Sequence, residues 1–224
     1  MQKNCIHSSS HDDVDSFSVV LARPSLRRNQ QHTGVYYRDE DGALNFLHLA
    51  SHRQLRLDPP DDHYVWVDVQ LDDLSKMLLA TYCTSVVSKN PQGLPYSICK
   101  EGAFFRADGT FHQEFEYSGL TCATFVLEIF RSQGFEVLDL RKWAQLPEDR
   151  VWQIQILQLL EQVGMPADYL DAQRKQLKEG VDRYRPEQVV AATAMDGWPL
   201  GFYDVKKTSE DLLSYAIRHR EACG

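Results

Sequence analysis

Basic residues are in short supply in this chain: 24 Lys and Arg stand against 32 Asp and Glu, a formal net charge of −8 with His neutral. A general nucleic-acid binder needs a basic stripe to meet phosphates, so this balance argues against that class, and it disfavours docking on anionic lipid by charge alone. Long apolar runs are also missing. Nothing approaches the roughly 18 consecutive apolar residues that cross a bilayer, so no integral membrane segment is expected. Met1 to Asp15 is polar and has no apolar h-region, so no secretory signal is expected and the expected location is cytoplasmic. No Gly-rich phosphate loop, internal repeat or low-complexity tract is present. The five cysteines (Cys5, Cys83, Cys99, Cys122, Cys223) are odd in number and contain no CxxC pair, which argues against a disulfide framework and against a zinc site. No motif demands a metal or a cofactor.

What is present is core material. At 224 residues, 43 % hydrophobic and 11 % aromatic, the chain can build one large domain or one domain with an extension. Residues 1–15 read as a flexible leader. Ser16–Ala22 is a β-type run. Thr33–Arg38 and Leu44–Ala50 flank the turn signal Asp39-Glu40-Asp41-Gly42 and predict a hairpin. Tyr64–Leu71 alternates like a strand. Asp72 or Asp73 caps a helix to about Val87, with Leu74, Met77, Leu78 and Tyr82 on its apolar face. Residues 94–118 read as an aromatic, loop-rich stretch. A second helix is predicted from Thr121 to Gln133. Beyond it the chain is helical, with segments opening at Pro147, Ala167, Pro186 and Ser209. The apolar stripe of the first of these is Val151, Ile154, Leu157, Leu160 and Val163. The fold class is therefore α+β: a mixed domain over residues 16–142, then a helical C-terminal extension over 143–224.

One cysteine stands apart. In Ser118-Gly119-Leu120-Thr121-Cys122-Ala123-Thr124 a glycine-containing turn enters a helix, and Cys122 falls in its first turn. Unpaired N–H groups and the positive end of the helix dipole lie there; that field favours thiolate over thiol, and the N–H groups could hold an oxyanion. A plain buried cysteine is the competing reading. A thiol nucleophile needs an imidazole as base. Of eight histidines, His32 and His48 lie on the two strands of the predicted hairpin, where paired strands bring side chains together.

These residues resemble a known family. His32-Thr-Gly-Val-Tyr-Tyr, an acidic Gly turn, Phe46-Leu47-His48-Leu49-Ala50, and farther on Thr121-Cys122-Ala123-Thr124-Phe125-Val126 resemble the two boxes of the circularly permuted NlpC/P60 thiol hydrolases. That branch includes the lecithin:retinol acyltransferase-like proteins, and the order His before Cys is its mark. The resemblance covers residues 16–140. It implies a permuted papain-like domain with a small antiparallel sheet packed on a Cys-bearing helix. Cys122 would be the nucleophile, His32 the base and His48 the residue that orients it, a Cys-His-His triad. Tyr96 and Thr121 would contact substrate.

An alternative pairing stays open at this point, in which His48 is the base and Asp68 its orienting acid, and Cys99 is a rival nucleophile. The leading function is a cysteine hydrolase of the amidase or peptidase kind, acting on a peptide or acyl-bearing substrate. The absent anchor and the −8 charge tilt the substrate towards an amide. Two alternatives remain. One is a lipid acyltransferase or phospholipase-like activity; the other is a non-catalytic interaction module that binds a protein partner through its helical C-terminal part.

Overall fold

The computed structural model describes residues 6–7, 11–25, 30–98 and 101–223. Six strands form one antiparallel sheet: β1 (Ile6–His7), β2 (Phe17–Ser25), β3 (Gln30–Arg38), β4 (Leu44–Ser51), β5 (Gln54–Asp58) and β6 (Val65–Asp68), in the spatial order β1-β6-β2-β3-β4-β5. Four helices pack against its strands: α1 (Asp73–Lys89), α2 (Cys122–Ser132), α5 (Pro186–Thr193) and α6 (Phe202–Cys223). Two more, α3 (Pro147–Gln162) and α4 (Ala167–Glu179), pack on each other. A two-stranded hairpin, β7 (Ala103–Phe105) with β8 (Phe111–Gln113), occupies part of the stretch expected to be loop. The chain is thus α+β.

The predicted hairpin is β3–β4, with Val35 opposite Leu47 and Tyr36 opposite Phe46. Side chains alternate faces along a strand, and here the two parities feed two clusters. Val19, Leu21, Val35, Leu47, Leu49, Val65 and Val67 enter the main core beneath the helices. Val20, Ala22, Tyr36, Phe46 and Trp66 form a smaller cluster on the other face. His32 and His48 have the parity of this second face, so they share a side of the hairpin.

Several expectations are corrected. Of the leader expected over residues 1–15, the segment 11–15 is tied down: Arg38 donates to Val14 O at 2.9 Å and to Asp12 O at 3.1 Å, and Val14 is buried, while residues 1–5 and 8–10 lie outside the described residues. The helical part divides between two clusters: Val189 to Ala192, Val205 and Leu212 lie in the same apolar cluster as Phe17 and Phe125, whereas Ile156, Leu157 and Leu160 of α3 and Tyr169, Leu170 and Leu177 of α4 form a cluster of their own with Ile98. On α1 the buried positions are Lys76, Leu79, Ala80, Tyr82, Cys83 and Val86, whereas Leu74, Met77 and Leu78 face solvent. On α3 the chain buries Gln153, Ile156, Leu157 and Leu160 and leaves Val151, Ile154 and Val163 exposed. Each expected stripe is thus caught in part, by Tyr82 on α1 and by Leu157 and Leu160 on α3, because both helices carry apolar residues beyond a single face. The last helix starts at Phe202, not Ser209, whose hydroxyl instead donates to Lys206 O inside the helix. Among the described residues no helix is long and apolar enough to cross a membrane.

Candidate active site

The site is built at one end of the sheet, where β3 begins, β4 ends and α2 starts. His32, Ala50, Tyr96, Thr121 and Cys122 line a single cavity of about 40 Å³. Its far wall comes from the helical part: Trp152 on α3, and Arg183, Tyr184 and Pro186 at the approach to α5. Larger clefts exist, one of about 710 Å³ lined by Glu101, Glu114, Arg131 and Glu179, and among the described residues no cysteine or histidine lines that one.

Local sequence explains the position of each group. Thr121 is the N-cap of α2: Thr124 N–H donates to Thr121 Oγ1 at 3.2 Å and Thr121 N–H donates to Thr124 Oγ1 at 2.8 Å, a reciprocal capping box. Cys122 is therefore the first residue of the helix, as expected. Thr121 does line the cavity, with its hydroxyl committed to the cap. Tyr96 is held beside Cys122 because residues 95–97 run along the approach to α2. Leu120 N–H donates to Pro95 O at 3.0 Å and Ser97 N–H to Leu120 O at 3.2 Å. Gly119 permits this approach, since a Cβ there would lie 2.3 Å from Pro95 O. Tyr169 of α4 donates its hydroxyl to Tyr96 O, which ties the helical part to the same segment.

The two imidazoles meet. His32 Nε2 and His48 Nδ1 are 2.8 Å apart, and His48 Nε2 lies 3.0 Å from Asp58 Oδ2. A carboxylate only accepts, so His48 must donate from Nε2 and keep Nδ1 bare. That bare nitrogen accepts from His32 Nε2–H, and His32 Nδ1 is left with its lone pair. Asp58 thus sets the tautomer of His48, and through it that of His32. The His48 ring is stacked on Phe46, centroids 4.2 Å apart and planes within 5°. Gly34 makes room for this stack: a Cβ there would sit 2.7 Å from His48 Cβ and 2.8 Å from the Phe46 ring. Asp68, the acid considered for His48, is instead ion-paired to Lys76 at 2.6 Å. Asp58 was not singled out by sequence. It ends an edge strand whose register, Phe46 opposite Asp58 and His48 opposite Arg56, places it one step diagonally from His48. Cys99 and Cys5 lie outside the described residues.

Electrostatically the pair rests uncharged. Burial, and next the neighbouring His48 ring, push the His32 imidazole down from its ordinary 6.5 to about 3. Burial pushes the Cys122 thiol up to about 11, although the backbone N–H groups of Thr33, Ala123 and Cys122 and the positive charge of Arg183 pull the other way. The expected helix-start effect is therefore present in direction but outweighed, because the thiol is only 9 % exposed. Burial first, and next the neighbouring Cys122, push the Tyr96 and Tyr64 phenols up, so both stay protonated.

Comparison with protein families, with curated proteins and with solved structures gives no match to this chain.

Proposed function

We propose that this protein is a cysteine-dependent hydrolase or acyl transferase with a permuted papain-like catalytic unit, acting on an amide by preference. The observation that carries the reading is the relay Asp58–His48–His32, which leaves a lone pair on His32 Nδ1 in a ring that lines the same cavity as Cys122. In the step proposed, Cys122 Sγ attacks the carbonyl carbon of the substrate and its proton passes to His32 Nδ1. The N–H groups of the first turn of α2 hold the oxyanion. His32 then gives the proton to the leaving amine, and a thioester remains on Cys122. Water, or another acceptor, attacks that thioester, passes its proton to His32 and restores the thiol. The neutral resting pair implies that proton transfer accompanies attack and does not precede it.

The test compares wild type with Cys122→Ala. A thiol-directed acylating ester at neutral pH is expected to leave an acyl adduct on Cys122 of the native wild-type protein and none on the variant, read by peptide mass mapping. Equal labelling of Cys122 and of an exposed thiol such as Cys223 would falsify the reading. A second reading, a non-catalytic interaction module, is favoured by one observation: the cavity is small, about 40 Å³, and Cys122 is only 9 % exposed. The same experiment separates the two, since a remnant thiol gives no adduct without unfolding.

A further inference from the structure

Arg183 is brought to the cavity by the segment that joins α4 to α5, and its position there is fixed on several sides. Its carbonyl accepts from Trp143 Nε1–H at 3.0 Å, and its guanidinium lies over the Trp152 ring, 3.9 Å from the centroid. The side chain is only 11 % exposed. Two acids face it, the buried Glu187 and then Asp149, and the one it hydrogen-bonds is shared. Arg183 Nη1 reaches Asp149 Oδ1 at 3.3 Å, and the same oxygen accepts from Arg185 Nε at 2.9 Å. The other oxygen, Oδ2, accepts from Leu146 N–H at 2.9 Å. One carboxylate thus serves two guanidiniums and a helix cap. Arg183 Nε is buried without a hydrogen-bond partner among the described residues, as is Glu187 Oε2 in the same cluster. Burying a guanidinium with donor capacity to spare is costly unless a further anion completes its shell.

We propose that Arg183 binds a carboxylate on the substrate, next to the carbon that Cys122 attacks. This rests on Cys122 being the nucleophile. Arg183 and Cys122 line one cavity, to which His32 and the aromatic residues Trp152, Tyr96 and Tyr184 also contribute. A guanidinium fork matches the two coplanar oxygens of a carboxylate, and its stacking on Trp152 holds the fork in one plane. A cavity of about 40 Å³ has room for a few water-sized groups, each needing roughly 10–15 Å³. That suits a flat carboxylate better than a tetrahedral phosphoryl group. The substrate class is then an acyl compound with an acidic group at the reacting end, in a peptide either a terminal or a side-chain carboxylate. The helical part of the chain is what supplies this selectivity.

The experiment alkylates the full-length protein with iodoacetate and, separately, with iodoacetamide, and measures the rate at Cys122 by peptide mapping. In each, Sγ displaces iodide; the two reagents differ in carrying a carboxylate or a neutral amide. The rate ratio at Cys122, iodoacetate over iodoacetamide, is expected to exceed by about tenfold the ratio at the same cysteine in the urea-unfolded chain. Arg183→Gln is expected to bring it back to the unfolded value, and Arg183→Lys to keep part of it. A wild-type ratio equal to the unfolded one overturns the carboxylate site whether or not the variants fold. So does an elevated ratio that Arg183→Gln, shown folded by circular dichroism, leaves unchanged. No alkylation of native Cys122 by either reagent removes the nucleophile itself, a result distinct from the first two. Two matched peptides then compete with iodoacetate, one with a free C-terminal carboxylate and no acidic side chain, the other with an amidated C terminus and one glutamate. Protection by the first assigns the terminal carboxylate, protection by the second the side chain, and protection by neither overturns the site.

Discussion

Cys83 and Cys122 are both buried thiols on helices that face the same core, and only one of them has chemistry around it. Cys83 lies in the middle of α1, fully enclosed, and burial alone acts on it, raising its pKa well beyond the ordinary thiol range. Cys122 lies at the first position of α2. Burial raises it too, yet backbone N–H groups and an arginine oppose the rise and hold it to about 11. The lesson is that a helix interior offers a thiol nothing, because every N–H there is spent on the carbonyl four residues back, whereas the first turn has N–H groups left over. The second difference is what stands across the gap: Cys122 shares its cavity with a histidine backed by another histidine and an acid.

That contrast can be broken from its strong side. Replacing His32 with Ala is expected to lower kcat/KM for an activated acyl ester by about 10²–10⁴, the usual worth of a positioned general base. Cys83→Ala is expected to leave the same rate unchanged. Should the two variants behave alike, the difference between the cysteines is structural and not chemical. The contrast is sharpened next at Asp58. Asp58→Asn offers His48 an amide N–H as well as an oxygen, and so releases both tautomers. The expected loss is roughly 10–100-fold in kcat, the common cost of losing the partner behind an orienting histidine, with KM little changed.

The neutral resting state also has a pH signature. An unfolded chain protonates His32 below its ordinary 6.5, whereas the native ring stays neutral down to about 3. The unfolded state therefore binds the extra proton in that window, and stability falls as pH is lowered through it. The expected loss from this ring is on the order of a few kcal/mol by urea unfolding between those two pH values, and His32→Gln should flatten it. The smallest effect is at the cap. Thr121→Ala removes one half of the capping box and should cost about 1 kcal/mol of stability, measured by the same urea transitions.

The legible parts of this molecule were those in which a short stretch of sequence determines the outcome. The β3–β4 hairpin could be read from its Asp-Gly turn and flanking apolar strands, and the start of α2 from the glycine-containing turn before it, so His32, His48 and Cys122 could be placed on their elements. Asp58 could not, because β5 is a five-residue edge strand, Gln-Leu-Arg-Leu-Asp, whose alternation is short and whose leucines stay at least partly exposed, and only its register with β4 puts the acid beside His48. Arg183 could not, because no local pattern says that a segment some 60 residues after Cys122 folds back over it. The direction of the thiol's pKa was misjudged for a related reason: the dipole of a helix start is written in the sequence, but the depth at which the fold buries it is not.

The wall that covers Cys122 is made by the later part of the chain, and this has a consequence in time. At a synthesis rate of about 5–20 residues per second, Trp152 leaves the ribosome roughly 1.5–6 s after Cys122 does, and Arg183 and Tyr184 roughly 3–12 s after it. During that interval the nascent protein has its histidines and its thiol but no roof over them. The thiol is then open to oxidants and to any passing electrophile, a hazard that the finished protein, with the residue 9 % exposed, has closed off.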